Sequence, residues 1–348
     1  MRKIKTVQIG TGHDHAWPNF ISAIQSGYFD MVGYVVPDEY NELENGFEDS
    51  LGVPKITLEE AFAIEGLEAV IIETYDLCLV KYAQMCADRG LHVFMDKPGS
   101  QSAEDFEKLL STIKKNKLTF NIGYMFRYNP AINELKKMVA DGALGKIYSV
   151  EAHMSCDHPI SKRQWQSGFK GGMSFFLGSH LVDAIYTFMG MPEEVIPFNT
   201  NTGLFNVTSD DLGFAVFKYK NGLSFLKTCG AEVGGASRRQ LVVCGESGTV
   251  KIGPLEEGTF KEGMFGASTA TTYKVLSTEH GFHTWGLTPE VTKSEIFPRY
   301  MNMLIDFAKN VINKVPTSEE FLKREATVHR IILAACGIDC DYKAEINL

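Results

Sequence analysis

A chain of 348 residues is longer than one hydrophobic core usually serves, so two domains are expected; a 44% hydrophobic, 22% charged composition argues against disorder. The formal net charge of -9, with acidic residues dispersed along the chain, offers no basic footprint for nucleic acid or anionic lipid and leaves small molecules as the expected partners. Seven cysteines, without a Cys-x-x-Cys pair, point to reduced thiols in a cytoplasmic protein, and no apolar run approaches the roughly 20 residues that cross a membrane.

The basic start is interrupted by polar residues and reads as a first strand, Lys5 to Ile9, rather than a signal peptide. Gly10-Thr11-Gly12 follows it. Glycines at these positions let the chain turn tightly and let a pyrophosphate approach the backbone N–H groups. The third glycine of the usual spacing is replaced by His15, and Pro18 is tolerated only in a first helical turn, so the helix is expected to begin near Asp14 or His15. His13 and Asp14 then belong to a lengthened phosphate loop. A second strand, Met31 to Val36, ends ahead of Asp38, the nearest carboxylate for an adenosine ribose. No lysine or arginine lies between Met31 and Pro54 to neutralise a 2′-phosphate, which favours NAD over NADP.

Further on, apolar strands Ala69 to Glu73, Leu91 to Met95 and Thr119 to Ile122 alternate with helical spacing at Leu58 to Ile64, Cys78 to Arg89 and Ala103 to Asn116, the signature of a parallel sheet wrapped by helices. Asp96-Lys97-Pro98 closes the fourth strand, where a lysine can exchange a proton beside a bound ring. After Tyr124 the pattern changes. One helix, Ala131 to Asp141, precedes strands Tyr148 to His153, Leu212 to Tyr219, Leu223 to Cys229, Arg239 to Cys244 and Thr249 to Ile252 of a mostly antiparallel sheet, with an Asn221-Gly222 hairpin signal between two of them. Helices Arg299 to Asn313 and Ser318 to Cys336 close the chain.

These pieces, in this order, resemble the glucose-fructose oxidoreductase / inositol dehydrogenase / rhizopine-catabolism (Gfo/Idh/MocA) family. The resemblance rests on Ile9 to Gly12, on Asp96-Lys97-Pro98 where Glu-Lys-Pro is usual, on Gly123 to Pro130, on Trp165 before Gly171-Gly172, and on Gly178 to Asp183. It implies an α/β protein: an N-terminal NAD(P)-binding Rossmann domain, doubly wound, over 1–121, and a C-terminal α+β domain with a large open sheet over 122–348 for substrate binding and oligomerisation. By resemblance, NAD is held by Gly10, Thr11, Gly12, His13, Asp14, Asp38, Thr74, Tyr75, Asp96, Lys97 and Pro98, with Lys97 nearest the reacting carbon and a Lys97-Pro98 bond that is cis. A carbohydrate or polyol substrate meets Tyr124, Arg127, Trp165, His180 and Asp183, and a homodimer or homotetramer is implied.

Two departures stand out. Phe176 occupies the place of the acid that many polyol dehydrogenases of this family carry four residues before the histidine, here His180. Thr74-Tyr75-Asp76 stands where Thr-Pro-Asn is common. Without the acid, His180 loses a route to a raised pKa, so Lys97 is the expected proton carrier and His180 its aid. Two other readings stay open: a glycoside-cleaving enzyme working through transient oxidation, and a non-catalytic sensor. His13, Asp14 and His15, and His153, Cys156, Asp157 and His158, have ligand chemistry but no common zinc spacing, and no metal is expected. His280 and His283 find no place in this scheme.

Overall fold

The computed structural model describes residues 2–37, 47, 50–257, 264–265, 269–274 and 288–348, so the readings of Asp38, His280 and His283 lie outside the described residues. The chain packs as two units. Unit 1 comprises Met1–Met125, Pro298–His329 and Ala344–Leu348, and unit 2 comprises Phe126–Phe297 and Arg330–Lys343. The sequence reading drew one boundary at 121/122; instead the chain returns to unit 1 after the second sheet.

In unit 1, β1 (Ile4–Ile9), α1 (Ala16–Ser26), β2 (Phe29–Val35), α2 (Leu58–Ala63), β3 (Ala69–Ile72), α3 (Leu79–Ala87), β4 (His92–Met95), α4 (Ala103–Lys115) and β5 (Phe120–Ile122) follow one another. The five strands are parallel in the order β2-β1-β3-β4-β5. Every residue of β3 is fully buried, as expected for a strand covered on both faces. Local chemistry sets the helices. Thr57 and Glu60 form a reciprocal capping box at α2, and Ser102 caps α4, whose Phe106, Leu109, Leu110 and Ile113 recur at helical spacing and are buried. α1 starts at Ala16, one residue beyond His15 and two beyond Asp14, with His15 as its N-cap.

The return to unit 1 has a packing cause. Helix α9 (Met301–Ile312) buries Met303, Leu304, Phe307 and Val311 and packs against α1, β1, β4 and β5, with the Phe307 ring 5.9 Å from Phe94. The Thr317 hydroxyl, ahead of α10 (Glu319–Ala335), accepts the Phe120 N–H at 2.7 Å.

Unit 2 runs through α5 (Pro130–Ala140), β6 (Ile147–His153), α6 (Ile160–Trp165), α7 (Gly172–Phe176), α8 (Gly178–Met189), β7 (Glu194–Pro197), β8 (Leu212–Tyr219), β9 (Gly222–Cys229), β10 (Gln240–Gly245) and β11 (Gly248–Ile252), then the short β12 (Met264–Phe265), β13 (Thr269–Lys274), β14 (Glu290–Lys293) and β15 (Phe297–Pro298). Eight strands form one sheet in the order β14-β13-β11-β10-β6-β9-β8-β7, antiparallel except where β6 runs with β9. Tyr219 pairs with Gly222, so Lys220 and Asn221 make the turn and Gly222 opens β9 instead of sitting at the tip. Helix α8 packs on β6 and β9. Alternation leaves Ala152, Ala215, Phe217, Leu226 and Val243 buried, while Phe214 and Phe225, stacked at 5.6 Å, are only partly covered and Phe198 and Leu223 are exposed.

Candidate active site

The strand ends of unit 1 carry a buried polar cluster. Gly10 takes φ +100°, and a Cβ there would lie 2.3 Å from the Thr74 backbone nitrogen, so this position admits only glycine. His13 N–H donates to the Glu73 carbonyl at 3.1 Å, which draws the loop over the end of β3. Asp96 accepts three donors in the same place: the Lys97 N–H at 2.7 Å, the Asn19 side-chain amide at 3.1 Å, and His15 Nδ1 at 3.1 Å. Asn19 also donates to Glu73 at 2.6 Å. His13 Nδ1 lies 3.5 Å from Glu73 and 3.6 Å from Asp96, and its Nε2 lies 3.8 Å from Asp76. Gly123 closes the floor, since a Cβ on it would meet Asp96 Oδ1 at 2.7 Å.

Glu73, Asp96 and Lys97 are each 0% exposed, so Lys97 is a buried lysine and not a surface one. Burial pushes the Glu73 carboxyl well above its ordinary range, the Asp96 charge adds to the rise, and the Asn19 hydrogen bond offsets part of it. Burial also raises Asp96, against the opposing pull of His13 and Lys97. Of this coupled pair, Glu73 is the one pushed up more strongly.

The other expected cofactor residues are spread around this core. Thr11, Thr74 and Tyr75 are buried, Gly12 is half-buried and Asp14 is exposed. The Lys97-Pro98 bond is cis. The loop after it is braced by His329, whose Nε2 lies 3.1 Å from the Ser100 nitrogen and 2.7 Å from its oxygen. Lys55, directly after Pro54, pairs by a parallel bridge with Tyr34 near the end of β2. The lack of lysine and arginine between Met31 and Pro54 therefore does not decide between NAD and NADP.

In unit 2, Arg127 and Asp183 form a two-point ion pair, Nε to Oδ2 at 3.0 Å and Nη2 to Oδ1 at 2.8 Å. Asp183, which the resemblance sets against substrate, is thus engaged with arginine. The buried His180 ring meets Phe126 edge-on at 5.2 Å. Trp165 packs edge-on to Phe176 at 5.9 Å, with the Lys162 ammonium 3.7 Å above its ring, and Phe176 also contacts His158. His153 bonds the Arg238 carbonyl at 2.9 Å and lies 2.9 Å from the Ser155 hydroxyl. Tyr124, on unit 1, is buried beside Gly123.

Asn19, Glu73 and Asp76 were missed as site residues. Two signals were in the sequence: Asn19 follows His15 by four on a helix, and Glu73 ends a strand otherwise made of Ala and aliphatic residues.

Comparison with known proteins matches residues 9–124 to the NAD-binding Rossmann fold of an oxidoreductase family and residues 132–251 to the GFO/IDH/MocA C-terminal domain. Among characterised relatives, scyllo-inositol 2-dehydrogenase (NADP(+)) IolW of Bacillus subtilis is 25% identical over 167 residues, 47% of this chain and 46% of that enzyme. D-xylose 1-dehydrogenase (NADP(+)) 2 of Haloferax volcanii is 26% identical over 186 residues, 52% and 56% of the two chains. The chain thus spans about half the length of these relatives. The fold matches KijD10, a 3-ketoreductase from Actinomadura kijaniata solved with NADP and TDP-benzene, at TM-score 0.77 and 15% identity over 97% of both chains. Levoglucosan dehydrogenase in complex with NADH and levoglucosan matches at TM-score 0.75 and 13% identity, over 97% of this chain and 98% of that one.

Proposed function

Since the chain belongs to the GFO/IDH/MocA family of oxidoreductases, we propose that it moves a hydride between a nicotinamide dinucleotide and a secondary alcohol carbon of a sugar or polyol. The observation that carries this reading is a fully buried lysine, Lys97, at the carboxyl end of a parallel strand in the matched dinucleotide domain. Carboxyl ends of such strands are where ligands bind in open α/β sheets.

In this reading the nicotinamide accepts or supplies the hydride, and the Lys97 amine takes the alcohol proton or returns it. Gly10, Thr11 and Gly12 lend backbone N–H groups to the diphosphate, and Asp96 fixes the Lys97 backbone through its N–H. His180 and Trp165 contribute to the substrate surface of unit 2. Arg127 offers it a guanidinium whose orientation Asp183 fixes. Phe176 in place of an acid leaves proton transfer chiefly to Lys97.

Either NAD or NADP serves, because relatives are named for both and Lys55 supplies a basic residue near β2. The glycoside-cleaving alternative has less support, since the relatives cited above are named as dehydrogenases or a ketoreductase. A homo-oligomer in the cytoplasm, built over the uncovered sheet face, completes the proposal.

The test is to incubate pure protein with NAD or NADP and a panel of sugars, inositols and sugar acids while following nicotinamide absorbance. Reduction with at least one alcohol supports the reading. Measurable ligand binding with no turnover across the panel would favour the sensor instead.

A further inference from the structure

Between Lys97 and Ser102, the N-cap of α4, the backbone is unequally free. Proline fixes its own φ at about −65°, whereas glycine admits most conformations. Gly99 takes φ +111°, a value that other residues rarely adopt. It is the point at which the turn after Lys97 could swing. A lysine that must meet one substrate carbon needs that swing stopped.

The stop comes from α10, 229 residues further along the chain but in the same unit. His329 is 1% exposed, and its Nε2 lies 2.7 Å from the Ser100 carbonyl oxygen and 3.1 Å from the Ser100 nitrogen. As an N–H this nitrogen donates to the carbonyl; as a bare nitrogen it accepts the amide N–H. Either neutral tautomer therefore holds Ser100. The approach is so close that a Cβ on Gly99 would lie 2.8 Å from His329 Cδ2. From α4 the Phe106 ring backs the imidazole at 4.3 Å, and the Ser102 N–H donates to Ser100 Oγ at 3.0 Å.

We propose that His329 is a positioning residue for Lys97: by clasping the Ser100 backbone it fixes the turn from Lys97 to Ser100, and with it the direction in which the lysine amine is presented. The proposal rests on the proton-carrier role given to Lys97 above. On the other side of the turn Asp96 accepts the Lys97 N–H at 2.7 Å, so the lysine backbone is held from both ends. His329 exchanges no proton with substrate in this scheme. Its effect is geometric, and a misplacement of about 1 Å can cost roughly 100-fold in rate.

The test compares wild type with His329→Gln, whose amide keeps a donor and an acceptor, His329→Phe, which keeps only ring packing, Lys97→Ala, and the Lys97→Ala/His329→Phe double variant. Circular dichroism checks that each is folded. On a sugar or polyol that wild type turns over, His329→Phe should lower kcat at least about tenfold while KM for the dinucleotide stays within about threefold, and His329→Gln should recover most of that loss. The double variant should be no slower than Lys97→Ala, because a residue that acts through Lys97 then has nothing left to position. Losses that multiply, or a His329→Phe protein with wild-type kcat, overturn the proposal. Hydrogen exchange over residues 96–102 needs no substrate: amides there should exchange at least about tenfold faster in His329→Phe than in wild type or His329→Gln. Equal exchange in all three overturns the proposal whatever the turnover. Turnover that survives Lys97→Ala is a separate result: it ends the proton-carrier reading of Lys97, and this proposal with it.

Discussion

At the scale of single residues, the proposed reaction turns on Lys97 as the proton carrier. Replacing it with alanine should lower kcat by about 10²–10⁴-fold, the range for loss of a positioned general acid or base, while NADH affinity stays within a few fold. A variant with full turnover would remove Lys97 from proton transfer. Arg127 and Asp183 make a different kind of claim. Their side chains are 15% and 6% exposed, and removing one member leaves the other charge largely buried and unpaired. Arg127→Ala should therefore destabilise the protein by about 3 kcal/mol in urea unfolding, and Arg127→Lys should recover only part, because an ammonium cannot reproduce the two-point bond. Equal stability of all three proteins would show that the pair has no structural role. The glycine of the first turn was legible from residue type, since its backbone demand has few chemical solutions, whereas the cis Lys97-Pro98 bond came from the family resemblance. The Arg127–Asp183 pair was not, because its partners are 56 residues apart and either could have met substrate instead.

The elements were legible where one local pattern decided them. The five parallel strands and their helices came out within two residues of the observed ends, as apolar runs bounded by caps and glycines. Helices α6 and α7 escaped notice because six and five residues are too short for a periodic signal. Likewise, nothing local announces that α9 returns to the first sheet; its apolar stripe says that it is buried but not against what. The joint between β4 and β5 allows a pH test. His92 Nδ1 accepts the Thr119 N–H at 2.9 Å, and burial holds the imidazole below its ordinary value of about 6.5, with Glu68 opposing. On acidification through 6.5 the unfolded chain takes up this proton first, so the contribution is fully present above that pH and is lost as pH falls toward the folded value. Urea unfolding between pH 5 and 8 should show the stability gap between wild type and His92→Gln shrinking on the acid side. A gap that widens there would refute the assignment.

For the whole molecule, chain length led to the expectation of two domains and the family resemblance to that of a large open sheet; the order in which the chain visits its two units needed coordinates. The partly covered Phe214–Phe225 stack, with Phe198 6.2 Å from Phe214, is an apolar patch that a second copy would cover. Phe225→Glu should shift the species seen by analytical ultracentrifugation from oligomer to monomer with the fold retained. A wild-type monomer at micromolar concentration would end that reading. Above these stands the claim that a dinucleotide lies across the strand ends of unit 1 with its reactive carbon turned to Lys97. The measurement that addresses it most directly is a crystal structure of the protein grown with NADH and, in parallel, NADPH. The account predicts the nicotinamide C4 facing the Lys97 amine across a space for one substrate carbon, close enough for reacting atoms to approach within about 3–3.5 Å. A ring bound away from Lys97, or no dinucleotide bound at saturating concentration, would contradict it.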